Sequence, residues 1–177
     1  EGMRPAIITA RRGVLEGQRS EDRNGEIIKD TPDAGPEDMM TQIKKVAAVA
    51  KKVVALTDAD IIVSGGRGVG GPEGFDIIYK LADKLNGVVG ASRVAVDLGW
   101  IGFEHQVGQA GATVKPKIYI ACGISGATQH IVGMWESDIV IAINTHRYAA
   151  IFNFADYGIV GDLFEVIPKL IEELDKN

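Results

Sequence analysis

The sequence predicts an α/β domain in which a parallel sheet lies between layers of helices. Two continuous apolar segments, Lys117–Cys122 and Asp138–Ile143, have the composition of strands that are buried on both faces. Such segments alternate with helical patterns, which is the order expected of parallel strands joined by right-handed crossovers. Glycine-rich turns follow the strands, and 22 of the 177 residues are glycine, against a usual share of about 7%.

Each predicted helix has a start or a stop signal. Pro72 suits a first helical turn, and Gly87 fits the C′ position that follows the helix. Asp162 with Glu165 resembles a capping box, and Pro168 either bends the last helix or marks its true start. The predicted elements are, in order, a strand at Ile61–Val63, a helix from Pro72 to Leu85, a strand at Val88–Val89, a glycine-rich passage at Gly99–Gly111, a strand at Lys117–Cys122, a helix at Ala127–Met134, a strand at Asp138–Ile143, a strand at Tyr157–Val160 and a final helix.

The first 55 residues have a different pattern. Pro5–Thr9 is predicted to be a short strand, and Glu26–Ile28 is a candidate edge strand within a polar stretch. Pro36 begins a helix whose apolar residues share one face, with lysines elsewhere on a solvated surface. We therefore place a boundary at residues 55 and 56 and expect residues 56–177 to form the main domain.

Composition excludes several classes of protein. The net charge of −5 and the pI near 5.2 are unlike the basic domains that bind nucleic acid. No apolar run reaches the roughly 18 residues that a membrane span needs, and we expect a cytoplasmic protein, or a mitochondrial matrix protein if the source is eukaryotic. The single cysteine, Cys122, and three scattered histidines exclude a disulfide framework and disfavour a metal centre.

Every polar or glycine-rich cluster follows a predicted strand directly. In an open parallel sheet these positions lie at the carboxyl edge, where ligands bind, so the clusters are expected to converge. Backbone N–H groups in such turns suit an anion, but no nucleophile–base pair, carboxylate pair or metal-ligand set accompanies them. The pattern indicates a site for a large phosphorylated cofactor. The clusters are Ser64–Gly68, Gly90–Arg93, Gln106–Gln109 and Gly123–Gly126, the last followed by Gln129 and His130.

Each cluster also has a structural alternative. Arg67 and Arg93 could be surface arginines, and Ser125 could be an ordinary helix N-cap. The amides of the 106–109 loop could be solvated, and His130 could be a structural histidine. Cys122 is expected to be a buried strand thiol, and His105 and His146 exposed loop residues.

Six motifs in this order closely resemble the FAD-binding domain of the electron transfer flavoprotein alpha subunit. The resemblance covers about two thirds of the chain, from Ala59 to the C-terminus. Its motifs are Ser64-Gly65-Gly66-Arg67-Gly68, Gly90-Ala91-Ser92-Arg93, Gln106-Val107-Gly108-Gln109, Gly123-Ile124-Ser125-Gly126-Ala127 with Gln129-His130, Ile143-Asn144 and Ala155-Asp156-Tyr157-Gly158.

The resemblance implies a Rossmann-like, three-layer domain that binds FAD. We expect the binding to be non-covalent, because Cys122 lies inside a strand and no histidine is placed for attachment. The resemblance further implies a heterodimer with a beta subunit, which carries electrons from dehydrogenases to a quinone-linked or other acceptor through flavin semiquinone and hydroquinone states. The implied protein is an electron carrier, in a bifurcating or an ordinary complex, and not an enzyme. Residues 1–55 then correspond to the remnant of a preceding α/β domain with a linker and a helix, as in a piece of a larger subunit.

The resemblance also assigns residues to the cofactor. Arg93 is placed beside the isoalloxazine ring, and His130 near the flavin O2 atom. Arg67, Asn144 and Asp156 are placed toward the phosphates and the adenosine. The complete expected set is Arg67, Ser92, Arg93, Gln106, Val107, Gly108, Gln109, Ala110, Gly123, Ile124, Ser125, Gln129, His130, Asn144, Asp156 and Tyr157.

Two positions depart from the family pattern. Ala110 stands where a hydroxyl residue usually reaches flavin N5, so that hydrogen bond is not expected here. Thr145-His146-Arg147 replaces the usual Lys-Asp-Pro after the strand, which removes an acidic contact and predicts a rearranged adenosine end.

Two rival hypotheses use the same sheet. One is an enzyme that binds NAD or another nucleotide, and the other is an interaction module without a cofactor. We also expect self-association through surfaces meant for partners, with Trp100, Ile101 and Phe103 as candidate contacts.

Overall fold

A computed structural model of the chain describes residues 9, 26, 28–31, 35 and 56–176. The chain divides into two compact units, residues 1–52 and residues 53–177. The strand predicted at Pro5–Thr9 and the helix predicted from Pro36 lie outside the described residues, apart from Thr9. The edge strand predicted at Glu26–Ile28 is described only at its two ends, which belong to no helix or strand. The expected domain boundary stays a prediction.

The second unit contains a five-stranded parallel sheet. The strands are β1 (Ile61–Gly65), β2 (Val88–Ala91), β3 (Ile118–Cys122), β4 (Ile139–Asn144) and β5 (Tyr157–Val160). Their spatial order is β2-β1-β3-β4-β5, and every neighbouring pair is parallel. The chain leaves β1 toward β2 on one side and reaches β3 on the other. This is the topological switch point, and its carboxyl edge is where ligands bind in such sheets.

Four α-helices accompany the strands in the described part of the chain. They are α1 (Phe75–Lys84), α2 (Arg93–Asp97), α3 (Thr128–Ile131) and α4 (Leu163–Leu174). On one face of the sheet, α1 and α4 pack against strand residues such as Ile120 and Ile143. On the other face, α3 and irregular segments cover Tyr119, Ala121 and Ala142. The predicted α/β class with a layer on each face of the sheet is confirmed. None of the described helices has the length and apolar character needed to cross a membrane.

The C-terminus of α1 corrects one sequence prediction. Asn86, not Gly87, takes the left-handed conformation, with a φ of 52°. The N–H of Gly87 donates to the carbonyl of Ala82 at 2.8 Å, and that of Asn86 donates to Asp83, which is the Schellman pattern. Gly87 is needed for another reason: a Cβ there would lie 2.8 Å from the carbonyl oxygen of Ile61.

The last two helices also differ from expectation. The helix predicted at Ala127–Met134 is a single turn, because α3 ends at Ile131 and a series of turns follows. In α4 the helix runs through Pro168, so neither a new start nor an interruption occurs there. The predicted N-cap is confirmed, since the Asp162 carboxylate accepts from the Phe164 N–H at 2.9 Å.

Candidate cofactor site

A cavity of about 990 Å³ lies at the carboxyl edge of the sheet. It is formed by the turns after β1, β2, β3 and β4 and by the loop at residues 106–110. Its volume is at the upper end of the 300–1,000 Å³ typical of ligand pockets. The lining residues are Arg67, Gly68, Ser92, Arg93, Val94, Gln106, Val107, Gly108, Gln109, Ala110, Gly123, Ile124, Ser125, Gly126, Ala127, Gln129, His130, Asn144, His146, Tyr148, Ala149 and Ala150.

The turns after β1 and β3 pack backbone against backbone at the floor of the cavity. Gly66 N–H donates to the carbonyl of Cys122 at 2.9 Å, and Gly68 N–H donates to that of Gly123 at 3.0 Å. A Cβ at Gly68 would lie 2.7 Å from the Cα of Gly123, whose own φ is 64°. Only glycine allows this approach, so the glycine-rich sequences of both turns are explained by one contact.

The loop at residues 106–110 is held over the end of β2 and against α3. Val107 N–H donates to the carbonyl of Ala91 at 2.9 Å, and Gln109 N–H donates to that of Gln129 at 2.7 Å. The Gln106 side chain is buried and the Gln109 side chain is exposed. The two amides therefore do not share one environment, and the solvated-loop alternative applies at most to Gln109.

Asn144 ties the turn after β3 to the turn after β4. Its Nδ2 donates to the carbonyl of Ile124 at 2.8 Å, and its Oδ1 accepts from the His146 N–H at 2.9 Å. Ser125 does not cap α3, because the N-cap residue is Ala127 and it makes no side-chain capping bond. The Ser125 hydroxyl is thus left at the cavity wall beside the turn that Asn144 holds.

The charged side chains of the described cavity wall are the two arginines, Arg67 and Arg93, with no carboxylate among the lining residues. Arg93 Nε lies 3.2 Å from Asp97 Oδ2, and the two side chains are 69% and 61% exposed. Arg93 therefore does form a surface ion pair, as the structural alternative expected. A positive wall of this kind suits an anionic ligand.

His130 differs from the arginines because it is buried. Its Nε2 lies 3.0 Å from the Tyr119 hydroxyl oxygen, and its Nδ1 is buried without a hydrogen bond of ordinary geometry to the described residues. Burial lowers the pKa of His130 to about 4, and a hydrogen-bonding contact with the Val107 backbone raises that pKa by less. The imidazole is neutral at pH 7 and has one N–H to donate.

All but two of the expected site residues line the cavity. The exceptions are Asp156 and Tyr157, at the start of β5. The Asp156 carboxylate accepts from the Val140 N–H at 2.8 Å, so it pairs the amino ends of two strands. Because all strands are parallel, this end of β5 lies at the edge opposite to the cavity, so the structure does not bring Asp156 and Tyr157 to the cavity.

The cavity also includes residues that the sequence analysis did not select, chiefly His146 and Tyr148 in the turn after β4. Tyr148 is 78% exposed, with the His146 ring edge-on to it and the Arg147 guanidinium over its face. His146 is exposed as expected, whereas His105 is half-buried and its Nδ1 lies 2.7 Å from the Val89 carbonyl oxygen. The rule that ligand residues follow strands could have found the 146–150 segment.

The remaining expectations have separate outcomes. Trp100 and Ile101 are half-buried and pack against the core, whereas Phe103 is 64% exposed. Cys122 is a buried strand thiol, as predicted, and burial raises its pKa to about 12. No group of His, Cys, Asp and Glu in the described residues could hold a metal ion.

A switch-point cavity with glycine turns and a cationic wall defines a nucleotide-cofactor-binding domain of the parallel α/β class. The family model described as the electron transfer flavoprotein FAD-binding domain matches residues 55–135. Residues 55–135, somewhat less than half of the chain, are thus similar to an FAD-binding domain.

Several curated proteins are similar to nearly the whole of this chain. The electron transfer flavoprotein subunit alpha of Thermoanaerobacterium thermosaccharolyticum is 59% identical over 98% of this chain and 53% of its own length. That of Megasphaera elsdenii is 47% identical over 98% of this chain and 52% of its own. The acryloyl-CoA reductase electron transfer subunit beta of Anaerotignum propionicum is 43% identical over 98% of this chain and 49% of its own length. The chain spans about half the length of these relatives.

The residues of the cavity fit FAD. The volume suits a dinucleotide-sized ligand, and the glycine turns let backbone N–H groups approach phosphates. The two arginines of the cavity wall, Arg67 and Arg93, supply the positive charge that phosphates require, and no carboxylate of the described lining opposes them.

Proposed function

We propose that this chain is the FAD-binding part of an electron transfer flavoprotein alpha subunit. In this proposal it takes electrons from dehydrogenases and passes them to a further carrier, in a heterodimer with a beta subunit. The supporting observation is the convergence at one cavity of the turns after four strands, with the buried, neutral His130 and the exposed Arg93 in the same wall.

When bound, FAD supplies the redox chemistry, which no side chain of the cavity provides. The chain's own residues bind and orient it. The turn at residues 123–126, held by Asn144 and by the contact with Gly68, presents backbone N–H groups and the Ser125 hydroxyl to the pyrophosphate. Arg67 adds positive charge at the same edge.

Arg93 and His130 act on the isoalloxazine end. Arg93 contributes a cation whose field favours negative charge on the ring. His130 contributes a neutral N–H from a site with little water, where a fixed donor is effective because it needs no reorganisation. Together they favour acceptance of electrons without transferring a proton themselves.

The absorption spectrum of the purified chain, with and without added FAD, tests the cofactor. We expect a yellow protein, and FAD in the supernatant after acid precipitation. Flavin retained in the pellet would contradict non-covalent binding, and release of FMN alone would contradict FAD. A colourless protein that gains affinity for NAD would favour the nucleotide enzyme, and one that takes up neither cofactor would favour the interaction module.

The beta subunit is tested by co-expression. We expect the relatives' second subunit to co-purify with the chain in equal amounts and to raise FAD retention. Loss of co-purification in the presence of bound FAD would contradict the heterodimer and leave the cofactor assignment standing.

A further inference from the structure

An exposed aromatic side chain stands in the cavity wall, in the turn after β4, and it has no role in the proposed function. Tyr148 lines the cavity and is 78% exposed. The His146 ring also lines the cavity and lies edge-on to Tyr148, with ring centroids 6.1 Å apart and ring planes at 71°. The two rings form an open corner in the wall. Because burial of an aromatic ring is favourable, this corner is a surface on which a planar ligand would gain free energy.

The backbone of this turn is fixed although the tyrosine ring is exposed. The Ala149 N–H donates to the His146 carbonyl at 2.9 Å. The Ile151 N–H donates to the Ser125 carbonyl at 3.0 Å, which joins the segment to the turn after β3. Tyr148 is therefore held at a set position relative to the turn whose N–H groups suit a phosphate.

Arg147 supports the ring from behind. Its guanidinium carbon lies 5.2 Å from the Tyr148 ring centroid, over the ring face, within the roughly 6 Å range of cation–π contacts. Tyr148 belongs to the described lining of the cavity and Arg147 does not, so the cation lies on the side of the ring that is turned away from the cavity. A ring that is already held in this way loses less rotational freedom when a ligand stacks on it.

The order of the strands puts this corner at one end of the cavity. The turns that line the cavity follow strands in the spatial order β2-β1-β3-β4, so three strand spacings, about 14 Å, separate the two outer turns. The glycine turns after β1 and β3 lie between them. In the proposed function the isoalloxazine ring lies beside Arg93, after β2, and the central turns hold the pyrophosphate. A dinucleotide bound in this direction brings its second ring system, adenine, to the turn after β4.

We propose that Tyr148 is the stacking surface for the adenine base of the cofactor, with His146 bounding the base at its edge. Adenine is planar, and bases stack on aromatic side chains through their π faces. The contact is with the face of the base, so it needs no hydrogen-bonding side chain at this end of the cavity. The inference rests on the proposed function, because the direction of the dinucleotide comes from it.

Titrations of the full 177-residue chain with FAD, ADP and FMN test the proposal, since FMN has the flavin half of FAD without adenine. Tyr148→Ala should raise the dissociation constants of FAD and ADP roughly tenfold, the effect of one stacked base, and leave that of FMN at the native value. Tyr148→Phe keeps the ring and should restore most of the lost affinity. His146→Ala should weaken FAD and ADP by a smaller factor.

Tyr79→Ala is the matched control. Tyr79 is also partly exposed and also lies edge-on to a histidine, His105, but neither residue lines the cavity. Its removal should change none of the three dissociation constants. Circular dichroism of each variant checks that the fold is retained.

Native affinity of Tyr148→Ala for FAD and ADP would overturn the proposal and make Tyr148 an ordinary surface residue. An equal loss of FAD and FMN would also overturn it, because the ring would then act on the flavin half or on the cavity as a whole.

The two proposals fail in distinguishable ways. If the native chain binds ADP but not FAD, and Tyr148→Ala loses the ADP, the flavin function fails and the adenine surface stands. If both proteins bind FAD and ADP equally well, the adenine surface fails and the flavin function stands. A native chain that binds neither ligand would overturn both.

Discussion

Arg93 and His130 influence the cavity by different electrostatic means. The Arg93 side chain is largely in solvent and shares its charge with Asp97 at 3.2 Å, so water screens much of its field. His130 is buried and neutral, and it acts through the direction of a single N–H. Substitutions of Arg93 and of His130 should therefore have different effects on the electrostatics of the cavity.

Arg93→Ala is expected to lower the flavin midpoint potential by about 20–40 mV, because removal of a screened cation disfavours negative charge on the ring. Asp97→Asn should raise the potential, since it frees Arg93 from its partner. Both shifts are measured by spectroelectrochemical titration and should shrink as salt is added. Lys80→Ala, which removes an exposed cation from α1, is the control. Equal potentials for native protein and Arg93→Ala would assign Arg93 to the surface ion pair alone.

His130 makes stability depend on pH. The pKa of His130 is about 4 in the folded chain and about 6.5 when unfolded, so the unfolded chain binds the proton first as pH falls. Its contribution to stability is complete above about pH 6.5 and is lost as pH falls to 4, by about 3 kcal/mol. Chemical denaturation of native protein and His130→Gln at several pH values separates this loss from that of the carboxylates. If the unfolding free energies of native protein and His130→Gln depend on pH in the same way, the assignment of this loss to His130 is contradicted.

At the scale of elements, the site is built from turns and not from helix N-termini. α3 has four residues, too few for a strong dipole at its N-terminus. The position of the 123–126 turn depends instead on Asn144 and on backbone bonds to the turn after β1. The predicted anion site therefore relies on glycine geometry and on one amide side chain.

Asn144→Asp tests that dependence. The new carboxylate cannot donate to the Ile124 carbonyl and faces it with like charge, so we expect a loss of about 1–3 kcal/mol in unfolding free energy and a roughly tenfold weaker binding of FAD. Calorimetry and flavin titration measure these effects. Asn153→Asp makes the same change of charge at an exposed position. It should change neither the unfolding free energy nor the affinity for FAD. Native affinity in Asn144→Asp would mean that the backbone bonds alone hold the turn.

At the scale of the whole molecule, the sheet has an edge strand with little side-chain cover. β5 is the last strand in the sheet order, and Tyr157, Ile159 and Val160 are 64%, 38% and 59% exposed. Phe103 and Trp135 add apolar surface elsewhere, each 64% exposed. Exposed strand edges and apolar patches favour association.

We expect the chain to self-associate as its concentration rises, and Val160→Lys to reduce this, since a lysine on an edge strand opposes pairing. Size-exclusion chromatography with light scattering measures both. Thr57→Lys adds the same charge away from β5 and should not change association. A strict monomer at high concentration would contradict the expected self-association. If Val160→Lys and Thr57→Lys reduce association equally, the reduction comes from net charge and not from β5.

The parallel α/β class, the order of the elements and most of the cavity wall could be predicted from the amino-acid sequence. Buried strands and glycine turns are local patterns, and parallel topology brings every turn that follows a strand to one edge. The same rule favours residues after Val160 over Asp156 and Tyr157, which come before and at the start of β5. A family resemblance assigns residues without regard to the edge of the sheet on which they lie, which is how these two came to be included.

Three other features depend on contacts between parts of the chain that are distant in sequence. The left-handed residue of α1 is Asn86, because close approach of Gly87 to Ile61 fixes where the chain turns. The helix α3 is only one turn long, because the Gln129 and Gly133 carbonyls accept from the Gln109 and Val114 N–H groups and not from a continued helix. Tyr119 and His130 are neighbours only because β3 packs against α3. Contacts between side chains distant in sequence leave no periodic or local signal, so such a pairing is decided by packing alone.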